Sequence, residues 1–211
     1  MMMKKVKHIK RKNRLKNIYS VSLDDGSSIE LSDEALLKYG LHVGSCATEE
    51  NVNQAVEESR YFIYREKTYC YLEKTGKSLH EIKKYLASLG SDPDLSEKII
   101  QEIKENHLVD EKLIIGNYIA DSLSKKRGSL KIKYDLLARG FCEGDIDEFL
   151  RRVKDEIFIQ NAFELARKKY ASYEDKDKKS PGKLATYLFG QGYDENVVEK
   201  VVLALYDRLD S

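Results

Sequence analysis

Tryptophan is missing from this 211-residue chain, proline occurs twice and cysteine three times. So few prolines exclude a proline-rich linker protein, and 41% apolar residues exclude a globally disordered one. No stretch approaches the roughly 18 uninterrupted apolar residues that a membrane-spanning helix needs. Residues 1–16 hold neither an apolar run nor a small-residue cleavage site, so the expected compartment is the cytoplasm. Cys46, Cys70 and Cys142 are odd in number and far apart. That argues against a disulfide framework and for small buried apolar side chains. His8, His42, His80 and His107 lack the spacing of metal ligands, and neither a metal nor a cofactor is expected.

A charge excess is missing too: 37 bases stand against 36 acids, a net charge of +1. The distribution is uneven. Lys4, Lys5, Lys7, Lys10, Arg11, Lys12, Arg14 and Lys16 fall in the first 16 residues, with no acid. Removing these eight from 37 leaves 29 bases against 36 acids, so residues 17–211 sum to −7. A basic arm on an acidic body suits a polyanion or an acidic protein face. The plain alternative is a solvated terminus.

Catalytic motifs are equally scarce. There is no Gly-x-x-x-x-Gly-Lys phosphate loop and no Gly-x-Ser-x-Gly elbow. Asp145 with Asp147, or Asp24 with Asp25, could hold Mg²⁺ for a nuclease. A helix start and a turn explain both pairs without a metal. The chain is expected to bind rather than to catalyse.

What is present is a short β region followed by helices. Residues 5–10 and 18–23 are β-prone, Asp24-Asp25-Gly26-Ser27 is a turn signal, and residues 28–31 resume a strand. Two or three antiparallel strands are expected. Ser32 then caps a short helix over 33–38 that stops at Gly40. From Thr48 onward only helix is expected, beginning with a long one over 49–74.

An internal repeat of about 50 residues organises the rest. Aligning Gly90, Gly140 and Gly192 puts Ile82, Ile132 and Leu184 eight residues before them, and Leu86, Leu136 and Leu188 four before. Nine, ten and thirteen residues after stand Ile99, Ile100 and Ile103, then Phe149, Leu150 and Val153, then Val201, Val202 and Leu205. Each unit reads as a short helix, a glycine stop with φ > 0, and a second helix. Ser78, Gly128 or Ser129, and Ser180 with Pro181 start the first helices. Asp92-Pro93, Asp145 and Asp194 mark the second. A longer helix precedes each pair, over 49–74, 111–126 and 155–172. The predicted organisation is an N-terminal region (1–47) and three three-helix repeats (48–108, 109–153 and 154–211). The charged run 174–179 is expected to be an exposed loop.

The second repeat carries the densest cation cluster: Lys125, Lys126, Arg127, Lys131 and Lys133, with Arg139 ending the same helix. The dipole of the preceding helix explains the first three. It does not explain Lys131 and Lys133 at the start of the next helix, which points to contact with a polyanion or an acidic protein. Tyr61, Tyr64, Tyr69 and Tyr71 could stack on bases. In a chain without tryptophan, helix packing is the preferred reading.

The runs Leu108-Val109-Asp110-Glu111, Lys126-Arg127-Gly128-Ser129-Leu130-Lys131-Ile132 and Leu136-Leu137-Ala138-Arg139-Gly140-Phe141 resemble the RecX family of bacterial recombination regulators. The resemblance covers about residues 52–209. The family pattern reads Gly-Leu-Ile-Asp-Asp, then Arg/Lys-x-x-Gly-x-x-x-Ile, then a helix ending Lys/Arg-Gly-Ile. Here His107 replaces the Gly and Phe141 the Ile. The resemblance implies a mainly α protein, an elongated and curved tandem array of three helix-turn-helix-like repeats with a small N-terminal β element. It also implies a non-enzymatic modulator of the RecA recombinase in homologous recombination, DNA repair and the SOS response. Such a modulator binds RecA or its nucleoprotein filament and dampens strand exchange, ATP hydrolysis and co-protease activity. A monomer without membrane contact is expected, with single- or double-stranded DNA as a further partner. The cations of the second repeat and of the arm are the candidate contacts. The competing reading is a stand-alone DNA-binding protein, which the acidic body disfavours. The repeat alignment itself predicts that Ile132→Asp, by burying a charge, destabilises the second repeat. An unchanged thermal melting curve would contradict the alignment.

Overall fold

The computed structural model describes residues 3–12, 17–74, 76–171 and 181–207. Arg14, Lys16, Ser180 and the run 174–179 lie outside the described residues. The chain divides into two compact units, Met1–Val109 and Asp110–Ser211. It is mainly helical, with a small N-terminal antiparallel sheet.

The first unit opens with β1 (Met3–Arg11), β2 (Ile18–Leu23) and β3 (Ser28–Ser32). Gly26, at φ 84°, makes the turn between β2 and β3. A fourth strand, β4 (Cys46–Thr48), gives the order β3-β2-β1-β4. Three residues are too few to show alternation, which is why the sequence did not announce β4. Ser32 accepts the Ala35 N–H and caps α1 (Asp33–Lys38). Val6, Val21, Leu23 and Leu31 from the sheet meet Ala35, Val52 and Ala55 in a small core.

Thr48 caps α2 (Glu49–Leu72), which at 1.5 Å per residue runs about 36 Å. Its first half closes the sheet core. Its second half packs on α3 (Leu79–Ser88) and α4 (Pro93–Glu105), around Ile82, Leu86, Ile99, Ile100 and Ile103. The tyrosines of α2 belong to that packing. Tyr69 donates its hydroxyl to Glu102 of α4 at 2.6 Å, Tyr61 donates to the same carboxylate, and Arg65 lies 3.3 Å from it. Burial pushes the Tyr61 hydroxyl up to about 12, and the Glu102 hydrogen bond adds to it.

The second unit contains α5 (Glu111–Ser124), α6 (Ser129–Ala138), α7 (Glu143–Arg151), α8 (Asp155–Ala171), α9 (Pro181–Gly190) and α10 (Glu195–Asp207). One core runs through all six, with Ile115, Ile132, Leu136, Ile146, Ala162 and Leu188 among its buried members. The aligned positions eight and four before each glycine are fully buried in all three repeats. Later positions are less uniform, since Phe149, Leu150 and Val153 are only half-buried. The position six after each glycine is buried throughout, as Ser96, Ile146 and Val198. Polar Ser96 hides it from an apolar alignment.

Two readings need correction. The helix after Gly140 starts at Glu143 with Cys142 as its N-cap, so Asp145 lies inside the first turn. No disulfide joins the cysteines, and Cys46 and Cys142 are exposed while Cys70 is half-buried. Cys46 opens a short edge strand and Cys142 a helix, places that leave small side chains in solvent.

The glycine stops have one geometry. The N–H groups of Gly90, Gly140 and Gly192 donate to Ala87, Leu137 and Phe189, and the next residues, Ser91, Phe141 and Tyr193, reach back to Leu86, Leu136 and Leu188. This paired bond closes a helix whose following residue has φ > 0, here between 81° and 84°. The same pair ends α4, but with His107 at φ 51° in the glycine position. A side chain there costs about 1–2 kcal/mol, partly offset by the greater unfolded freedom of glycine. His107→Gly is therefore expected to stabilise the first unit by about 0.5–1 kcal/mol, read as a higher urea midpoint at unchanged slope.

Candidate functional site

The cationic segment of the second unit is built on two helix ends. α5 closes through bonds from Lys126 N–H to Leu123 and from Arg127 N–H to Ser122, with Lys126 at φ 57°. Gly128 is the N-cap of α6 and offers no side-chain acceptor. The start of α6 is satisfied from elsewhere: Gly128 donates to the Gln191 carbonyl at 2.9 Å and Leu130 to the Gly192 carbonyl at 3.0 Å. The backbones meet so closely that a Cβ on Gly128 would overlap the Gly192–Tyr193 peptide, and one on Gly192 would overlap Lys131. Buried Tyr193 donates its hydroxyl to the Lys126 carbonyl at 2.8 Å. Asn161 of α8 donates to the Leu123 carbonyl at 3.0 Å.

Most of the predicted cations find partners inside the protein. Lys125 pairs with Asp121 at 2.7 Å and Lys126 with Glu164 of α8. Arg127 lies 3.3 Å from Asp135 and 3.2 Å from the Tyr118 hydroxyl, which itself donates to Asp135. Lys133 bridges Asp147 at 2.7 Å and Glu143 at 2.8 Å, and hydrogen bonds to these carboxylates hold its ammonium above the usual lysine range. Arg139 lies over the rings of Tyr118 and Phe141. Among the described residues Lys131 has no ion pair, and its stem rests against Gly192. Lys133 falls in the second turn of α6 rather than the first, and α7 supplies the anions that its position seemed to demand.

The outer face of α6 shows something that charge reading missed. Leu130, Tyr134 and Leu137 recur at i, i+4 and i+7, and Tyr134 is 72% exposed. The signal was in the sequence: they form a second apolar stripe beside the Ile132–Leu136 core stripe.

In the first unit, Lys4 pairs with Asp25 at 3.2 Å and Glu49 at 3.7 Å, and Lys12 pairs with Glu30. Lys5, Lys7, Lys10 and Arg11 are exposed and, among the described residues, form no ion pair. Asp145 and Asp147 are engaged by Lys112 and Lys133, and no group of three or more metal-ligating side chains occurs among the described residues.

No family model matches the chain. It is similar to "Regulatory protein RecX" of Clostridium beijerinckii, with 30% identity over 203 residues covering 95% of each chain. The chain belongs to the RecX family. RecX of Clostridium perfringens strain 13 is 28% identical, covering 96% of this chain and 97% of its own. RecX of Clostridioides difficile is 25% identical, covering 98% and 97%. Two crystal structures share the fold. One of regulatory protein RecX has a TM-score of 0.65 and 20% identity, covering 94% of this chain and 98% of that one. One of RecX from Lactobacillus salivarius has a TM-score of 0.62 and 19% identity, covering 69% and 96%.

The glycine of the RecX pattern, Gly128, has a physical cause here: it is where two backbones touch. Gly128→Ala is expected to destabilise the second unit by about 3 kcal/mol, since rigid backbone must move. Gly182→Ala, with open space around it on a helical backbone, should not destabilise and is expected to gain up to about 1 kcal/mol. Chemical denaturation of both variants checks the contrast.

Proposed function

We propose that this protein binds the RecA recombinase or its DNA filament and lowers recombinase, ATPase and co-protease activity, without chemistry of its own. The observation that carries the reading is family membership along nearly the whole chain. The α6 surface supports a protein partner. Its outward stripe is apolar, Lys131 stands beside it, and the neighbouring cations are held by internal acids. A general DNA coat would need those cations free. In this reading Leu130, Tyr134 and Leu137 supply apolar contact, Lys131 meets an acidic group of the filament, and the paired cations shape the surface around them.

RecA-catalysed, single-strand-dependent ATP hydrolysis with stoichiometric protein tests the proposal. Inhibition is expected; an unchanged rate and filament lifetime would refute it. Lys131→Glu, at a cation with no ion pair among the described residues, should weaken the inhibition about tenfold while leaving the melting curve in place, and Tyr134→Ala should do the same without touching charge. Full inhibition by all variants would move the contact off α6.

A further inference from the structure

β1 carries a bulge between Val6 and His8. The extra residue lets Val6 and Ile9, three apart, both face the packed side of the sheet. Lys7 and His8, between them, are exposed. On the opposite face, which α2 covers at its Ile18–Ser32 end and leaves exposed at the other, register sets Lys10 beside Ser20, and His8 beside Ser22, which in turn faces Ser28. A row of bases along β1 is thus bordered by serines, and the hydroxyls of Ser20 and Ser28 lie 3.1 Å apart. Glu30, the acid on this face, is taken up by Lys12 and by Lys67 of α2. At the β2–β3 turn, Asp24 accepts the Lys5 backbone N–H at 3.0 Å, and Lys7 reaches only the Asp24 carbonyl, at 3.4 Å. β4 pairs with Met3, Lys4 and Lys5, and Gly44 and Ser45 bond the backbone of Val6, so among the described residues the margin of β1 is open from Lys7 onward.

We propose that the exposed part of this face and the open margin bind the sugar–phosphate backbone of single-stranded nucleic acid. Same-face residues on a strand recur at about 6.6 Å, comparable to the phosphate step of an extended strand. The cations form one row, whereas a duplex offers two phosphate rows across a groove. Serine hydroxyls and lysine ammonium groups are the usual donors to phosphate oxygens. Lysines on an open edge also prevent sheets from joining. That role predicts a different loss when they are removed.

The test uses the full chain without recombinase, so its outcome is independent of the reading of α6. Fluorescence anisotropy of a labelled oligothymidine is measured across several salt concentrations. Lys7→Gln with Lys10→Gln is expected to weaken binding about tenfold and flatten the log–log salt slope by about 1.4, roughly 0.7 for each lost phosphate contact. Lys7→Arg with Lys10→Arg should retain binding, as should Lys125→Gln with Lys131→Gln. Unchanged affinity and slope in the first variant would overturn the proposal, and so would equal affinity for a duplex of the same length. If that variant self-associates yet binds the oligonucleotide normally, the lysines guard the edge and the proposal fails.

Discussion

A helix begins with N–H groups that have no partner of their own, and the second unit depends on how one helix solves this. α3 brings a complete answer: Ser78 and Glu81 bond reciprocally across its first turn. α6, in the same place of the next repeat, has a glycine and draws its acceptors from Gln191 and Gly192 of the third repeat. Its start is therefore satisfied only when the third repeat is in place. Two missing β-carbons make the approach possible, and Tyr193 and Asn161 fasten the adjoining end of α5. The shared core through α5–α10 follows from this contact. The self-sufficient cap of α3 is consistent with the first unit closing at Val109.

Helix ends also set where strain is held. Glycine occupies the φ > 0 position after α3, α6 and α9, but lysine occupies it after α5. That residue, Lys126, is held twice, by its ammonium on Glu164 and by its carbonyl under the Tyr193 hydroxyl. A strained residue persists where its surroundings over-determine it. Here they do so at the entry to α6, fixing the direction in which Lys131 and Tyr134 leave the backbone.

The repeat was legible because its signal is local. A glycine stop and apolar residues at −8 and −4 lie within one helix-turn, and all six of those apolar side chains are fully buried. The position six residues after each glycine was lost to a single serine that bonds Ser91 instead of packing. β4 was lost to its brevity, and the bulge in β1 because Lys7 and His8 read as ordinary alternation. The ion pairs were out of reach for a different reason. Glu164 lies 38 residues from Lys126, and Asp147 lies 14 from Lys133. No period in the sequence links them, since tertiary packing alone brings them together.

That difference decides what a charge cluster means. In sequence the arm and the α5–α6 segment look alike, each a dense run of bases. Folded, the second meets Asp121, Asp135, Glu143, Asp147 and Glu164, and most of its charge is spent inside the unit. In the first, Lys4 and Lys12 are paired, whereas Lys5, Lys7, Lys10 and Arg11 lie along β1 with no ion pair among the described residues. A counterion atmosphere responds to uncompensated charge, not to composition. The near-zero total conceals this difference, because the excess of the arm is offset by the −7 of residues 17–211. The unpaired cations of β1 suit the proposed anionic strand, while the α5–α6 segment leaves an apolar helix face with Lys131 beside it.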